Sequence, residues 1–213
     1  MRTPVSSSSL VTFGSAIAAL GIAAVVAYVA FAIKRETRRR AAWSQWARDR
    51  GFESARLDAD ALGRRVRVVR GECAGLPFTL GLVTDRDSDG SAPVYVRLMV
   101  AHPEFSDEFS VLPRNLLGRA NAALMGGAIA IDDEAFGERF VVASKCAARV
   151  RKLLPSEARD ALRAFDGHDV RLTCGAGELA LWWRGDELDT ARLDRALRTL
   201  GIVLRGRVNS RAA

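Results

Sequence analysis

Lysine is almost missing from this chain: of its 32 basic residues only Lys34, Lys145 and Lys152 are lysines. Paired with abundant alanine, that bias reads as the composition of the coding genome and not as a functional signature. Cysteine is sparse too. Cys73, Cys146 and Cys174 are odd in number, widely spaced and free of any C-x-x-C pair, which excludes a disulfide framework and fits reduced, mostly buried thiols. His102 and His168 are the only histidines, and with the cysteines they show no zinc-ligand spacing. Gly-x-Ser-x-Gly, the P-loop and Gly-x-Gly-x-x-Gly are all lacking, so no nucleophile, nucleotide or cofactor site is indicated.

The charge is unevenly placed. Residues 1–50 carry eight basic and two acidic side chains, whereas 51–213 carry 24 and 23, so the net +7 divides into +6 and +1. A nearly neutral domain gains little from counterion release at a phosphate backbone, which argues against nucleic acid as a partner.

What is present is a long apolar run, Leu10 to Ile33, without a single charge. As a helix it is about 36 Å long, enough to cross a hydrocarbon core of about 30 Å. Ser6–Ser9 precede it, and Lys34, Arg35, Arg38, Arg39 and Arg40 follow at once. A cleaved signal peptide is the competing reading, with Ala30-Phe31-Ala32 as an A-x-A site. Signal peptides, however, have a shorter apolar region with the positive charge ahead of it. The expected organisation is a tail (1–9), a transmembrane helix (10–33), a basic juxtamembrane segment (34–40) and a soluble domain (41–213). The positive-inside rule places that domain in the cytoplasm, on a single-pass inner-membrane anchor. The basic cluster also suits an anionic leaflet, and Gly14, Ala18 and Gly21 form a small-residue stripe suited to homodimerisation through the span.

Beyond the anchor the spacing predicts an α+β domain. Ala41–Arg50 reads as a short helix ended by Gly51, with Trp43 and Trp46 either docked on the domain or at headgroup level. Arg65–Arg70, Phe78–Thr84 and Val94–Val100 read as an antiparallel meander. Helices are expected at Pro113–Met125, from an N-cap at Ser144 to Leu153, at Glu157–Phe165 and at Leu188–Leu204. A strand is expected at Phe140–Ala143, and a hairpin at Val170–Cys174 and Glu178–Trp183.

The segments 102–111 and 133–142 share F-x-x-x-F-x-V, matching Phe105 with Phe136, Phe109 with Phe140 and Val111 with Val142. Each copy places one Phe on a helical turn and the next at a strand entrance, a pair of related packing units. The stretch DDEAFGERFVVASKCAARVRKLLPSEARDALRAF, followed by GELALWW and the last helix, resembles an uncharacterised family of bacterial membrane-anchored proteins over about the last 80 residues. The resemblance implies the same α+β packing. It carries over no catalytic residue.

Two acidic clusters are candidates for chemistry. Asp85, Asp87 and Asp89 match half of a calcium loop, but Val96 stands where the bidentate carboxylate belongs, so a turn is the simpler reading. Asp132-Asp133-Glu134 suits acid/base work only if held in a cleft, and suits a helix start without further conditions. No cofactor is expected. The sequence thus points to a membrane-anchored protein-binding or scaffold module. The alternative is a small-ligand, lipid or metal-binding domain, with an enzyme of unrecognised site included in that class.

Overall fold

The computed structural model describes residues 7–59, 65–84, 94–101, 108–115, 123, 127–165, 169–185 and 188–211; the side chains of 7–19, 54–59, 65–67, 84, 149 and 207–211 lie outside that description. The chain divides into two compact units, 1–41 and 42–213.

Helix α1 (Ser7–Asp49) supplies the described part of the first unit up to Ala41, and its remaining residues belong to the second. Its described side chains from Leu20 to Ile33 are all exposed. Among the described residues no helix is long and apolar enough to cross a membrane. The side chains of residues 10–19, the first part of the expected span, lie outside the described set, and the expected small-residue stripe of Gly14, Ala18 and Gly21 falls largely within that stretch. The short helix expected at 41–50 is the end of α1 and not a separate element. Gly51, at φ +69°, terminates it, with the Phe52 N–H donating to the Ala47 carbonyl at 2.8 Å.

The second unit is α+β, with nine strands among the described residues. These are β1 (Glu53–Ala59), β2 (Arg65–Cys73), β3 (Leu76–Thr84), β4 (Val94–Ala101), β5 (Phe109–Pro113), β6 (Ala128–Ile129), β7 (Phe140–Ser144), β8 (Val170–Gly175) and β9 (Glu178–Arg184). They form one sheet in the order β1-β2-β3-β4-β9-β8-β5-β7-β6, and every pairing is antiparallel. The expected meander is β2-β3-β4, and the expected late hairpin is β8-β9. Helices α2 (Glu134–Arg139), α3 (Ala147–Leu153), α4 (Ser156–Arg163) and α5 (Thr190–Arg211) complete the described elements.

Strand alternation sorts the residues into two faces. Phe78, Leu80, Val96, Leu98, Leu172, Leu181 and Trp183 turn to the core, where they meet Trp43 and Trp46, Phe136, Leu153, Leu162 and Leu200 from the five helices. All the described helices therefore contribute to one apolar layer, the economical way to bury one face of an antiparallel sheet. Trp43 and Trp46 are docked, and the Trp46 indole N–H donates to Asp194 at 3.0 Å. Trp46, Phe52 and Phe78 continue as a tilted-then-edge aromatic row. Gly71 makes room for it: a Cβ there would lie 2.4 Å from the Phe52 ring and 2.7 Å from Phe78.

Both tight hairpins turn through an Ala-Gly pair with positive φ at each residue: Ala74 (53°) with Gly75 (77°), and Ala176 (51°) with Gly177 (82°). Those are the angles of a type I′ turn, where a Cβ at the first position is strained and asparagine is favoured. Ala74→Asn and Ala176→Asn are each expected to stabilise the domain by about 0.5–1 kcal/mol, read as a higher unfolding midpoint in urea.

The two phenylalanine segments meet. Phe109 opens β5 and Phe140 opens β7, while Phe136 sits on α2. The strands pair so that Val111 faces Val142, Phe109 faces Ser144 and Pro113 faces Phe140. Equivalent residues thus sit across a local twofold centred on the valine pair. Phe105 lies outside the described residues.

Three expectations are corrected. Ser144 ends β7 and is not the N-cap of the next helix. That cap is Cys146, which makes no side-chain cap hydrogen bond, and the Ser144 hydroxyl accepts from the Cys146 N–H at 3.1 Å. Pro113 closes β5 instead of opening a helix, since proline is tolerated at a strand end. Most of the helix expected after it lies outside the described residues. Leu188 precedes α5 and is exposed.

Candidate functional site

The carboxylates singled out by sequence separate into two fates. Asp85, Asp87 and Asp89 lie outside the described residues, as do His102 and His168. Among the described residues no three His, Cys, Asp or Glu side chains are grouped to hold a metal.

Asp133 is described, and its surroundings are structural. It caps α2, accepting from the Phe136 N–H at 3.0 Å, and its other oxygen accepts from Arg159 Nε at 2.7 Å; Arg163 lies 3.9 Å away. The Arg159 hydrogen bond, then that of Phe136, holds the carboxyl below its ordinary value of 3.8, the opposite of what a general acid needs. A depressed folded pKa contributes stability that is complete above the unfolded value and is lost as pH falls through the folded one. Asp133→Asn should therefore flatten the acid side of the stability curve below about pH 4, measured as Tm against pH.

The arginine bias has a local use in the same corner. Arg139 donates to the Arg163 carbonyl at 2.7 Å and Arg195 to the Ala164 carbonyl at 2.8 Å, so two guanidinium groups satisfy the unpaired carbonyls at the end of α4.

Of the thiols, Cys73 and Cys174 are buried and Cys146 is exposed; none is in a disulfide. Burial pushes the Cys73 thiol up, against the pull of Arg205.

In the first unit, Glu36 is clasped by Arg39 and Arg40, one turn further on. Burial works against its charged form, but the two arginines outweigh it and the carboxyl lies below the usual range.

The arrangement that sequence reading missed is on the sheet face opposite the helices. Tyr95, Arg97 and Met99 of β4 alternate with core residues, as do Trp182 and Arg184 of β9 and Arg171 and Thr173 of β8. Register brings them side by side: Tyr95 beside Arg184, Arg97 beside Trp182, and Trp182 beside Arg171. The Arg97 guanidinium stacks 4.6 Å from the Trp182 ring centre and pairs with Glu178; the Trp182 indole N–H donates to the Thr173 hydroxyl at 3.2 Å. Arg171 lies 4.9 Å from the Tyr95 ring centre and donates to the Tyr95 hydroxyl, which donates to Asp169, both at 2.9 Å.

Two guanidinium–aromatic stacks therefore stand next to each other, with Tyr95 buried and Arg97, Arg171 and Trp182 half-buried. Arg97 Nε is the one buried side-chain donor without a hydrogen-bond partner among the described residues. Leaving such a donor unmade costs about 1–3 kcal/mol. The signal was available in V-Y-V-R-L-M-V, where Tyr95 and Arg97 alternate with aliphatic residues; in L-A-L-W-W-R the two adjacent tryptophans point to opposite faces and hide it.

No family model matches the chain, and no curated protein matches it. Among solved structures, the chain is similar to the crystal structure of the mycobacterial trehalose monomycolate transport factor A, TtfA, at 14% identity and a TM-score of 0.49, over 79% of this chain and 94% of that one. A likeness so distant informs neither site nor function.

Proposed function

We propose that this protein is a membrane-tethered binding module, held at the inner leaflet by 10–33 and engaging a protein partner with the outer face of β4, β9 and β8. The observation that carries the reading is the Arg97–Trp182 stack with its unmet donor beside the Arg171–Tyr95 stack. Tryptophan, tyrosine and arginine are the residues in which interface binding energy concentrates, and a stacked guanidinium is already ordered before a partner arrives. The network contains no isolated nucleophile, and its carboxylates Glu178 and Asp169 are tied to arginines.

The membrane part rests on exposed apolar surface around the whole circumference of α1. Leu20, Ile22, Val25, Tyr28, Phe31 and Ile33 cover about 220° of the helix at about 100° per residue, Ala23, Ala27 and Ala30 fill the remaining sector, and all are exposed. A helix apolar all round needs cover all round, which lipid supplies and one partner helix does not. The family resemblance is part of the same proposal.

The test is proximity labelling from the intact chain in native membranes, beside the Arg97→Leu variant. Alkaline carbonate extraction and a reporter after Ala213 accompany it. We expect both forms to resist extraction and to report from the cytoplasm, with specific labelled proteins lost in the variant. Unchanged labelling would overturn the binding face; release by carbonate would overturn the anchor.

A further inference from the structure

The basic segment after the apolar run is not a uniform collar. At about 100° per residue, Lys34, Arg35 and Arg38 fall in one sector of the helix, and Glu36, Arg39 and Arg40 in the opposite one. In the second sector Glu36 holds both arginines, by contacts of one turn each. In the first, Lys34 and Arg38 are exposed, a turn apart, and without an acidic partner among the described residues. Two like charges at that spacing repel each other unless an anion lies between them. The sector continues directly into the exposed apolar surface of Phe31, Ala30 and Ala27, which share its side of the helix.

We propose that Lys34 and Arg38 form a one-sided site for anionic phospholipid headgroups, and that Glu36 withholds Arg39 and Arg40 from it. The inference rests on the membrane-anchored reading above. Charge complementarity and continuity with the apolar surface select the occupant: a headgroup phosphate at the level of Lys34 has its acyl chains beside Phe31 and Ala27. Each cation near an anionic leaflet contributes about 1 kcal/mol, a factor of about five in relative association. Salt weakens that attraction where the side chains are exposed.

The experiment reconstitutes the full chain in vesicles of phosphatidylcholine and phosphatidylglycerol. It compares the motionally restricted fraction of spin-labelled lipid of each class by electron paramagnetic resonance. The wild type should restrict phosphatidylglycerol severalfold more than phosphatidylcholine, and added inorganic phosphate should not abolish the preference beyond its effect as salt. Lys34→Gln with Arg38→Gln should reduce the preference by at least about fivefold, and Lys34→Arg should keep it. Arg39→Gln with Arg40→Gln should change it by less than about twofold, and Glu36→Gln should raise it toward another factor of about five. Equal restriction of both lipids would overturn the site, as would equal losses from the two double variants or no change in Glu36→Gln. Restriction of neither lipid would instead overturn the anchor itself.

Discussion

Replacing Phe136 with alanine is expected to destabilise the domain by about 3–5 kcal/mol, with Phe109→Ala and Phe140→Ala in the same range. All three rings are buried, and Phe136 and Phe140 stack with centroids 5.0 Å apart. Removing a buried ring loses its transfer free energy and leaves a cavity that the surroundings close only in part. Phe136 is also fixed from its own backbone, since its N–H is the group that Asp133 caps. A ΔG of unfolding of about 5–15 kcal/mol leaves little margin for such a loss, so the Tm of each variant should fall sharply. Melts near that of the wild type in all three would show that these rings line a cavity instead of filling a core.

The adjacent tryptophans of β9 should separate stability from binding. Trp183 is fully buried against Phe165 at 5.9 Å, whereas Trp182 lies on the opposite face under Arg97. Trp183→Ala should cost about 3–5 kcal/mol of stability, as a cavity-forming change does. Trp182→Ala should cost under about 1.5 kcal/mol of stability, the worth of an aromatic stack and one hydrogen bond. Its effect on partner capture should be large, at least about 2 kcal/mol or some thirtyfold in affinity, the behaviour of a residue at the centre of an interface. Chemical denaturation of both variants, set beside crosslinked capture by the intact Trp182 variant, reads the two effects separately. Similar losses of stability in both would remove the distinction between the faces.

The elements legible in the sequence were those with a clear period and a clear stop. In the β2-β3-β4 meander and the β8-β9 hairpin, apolar alternation runs up to glycine-bearing turns, at Gly75 in the first and at Gly175 and Gly177 in the second. Strands β1, β5 and β6 lack such marks. Glu53–Ala59 carries Glu53, Arg56 and Asp58 on an edge strand, which blunts the apolar pattern while discouraging edge-to-edge pairing. β6 is two residues long and exists through its pairing with β7. β5 lies between β8 and β7 with four buried residues in succession, so no alternation announces it, and only the repeated F-x-x-x-F-x-V placed Phe109 at a strand entrance.

The candidate site was illegible for a different reason. Arg97 and Trp182 are far apart in the chain, and only the β4–β9 register makes them neighbours. Asp133, by contrast, could be placed from sequence because a cap is a local event: its carboxylate, the N–H it accepts from and the helix it opens are close neighbours along the chain.

Whether a partner sits on the outer sheet face can be read directly. A photocrosslinking amino acid at position 184, exposed at the edge of that face, leaves Arg97 and Trp182 in place; position 157, exposed on α4, serves as the control. In the intact chain in native membranes, illumination should give a discrete adduct from position 184 and none from position 157. The adduct should disappear when Arg97→Leu is added. No adduct from position 184, or equal adducts from both positions, would contradict the binding face.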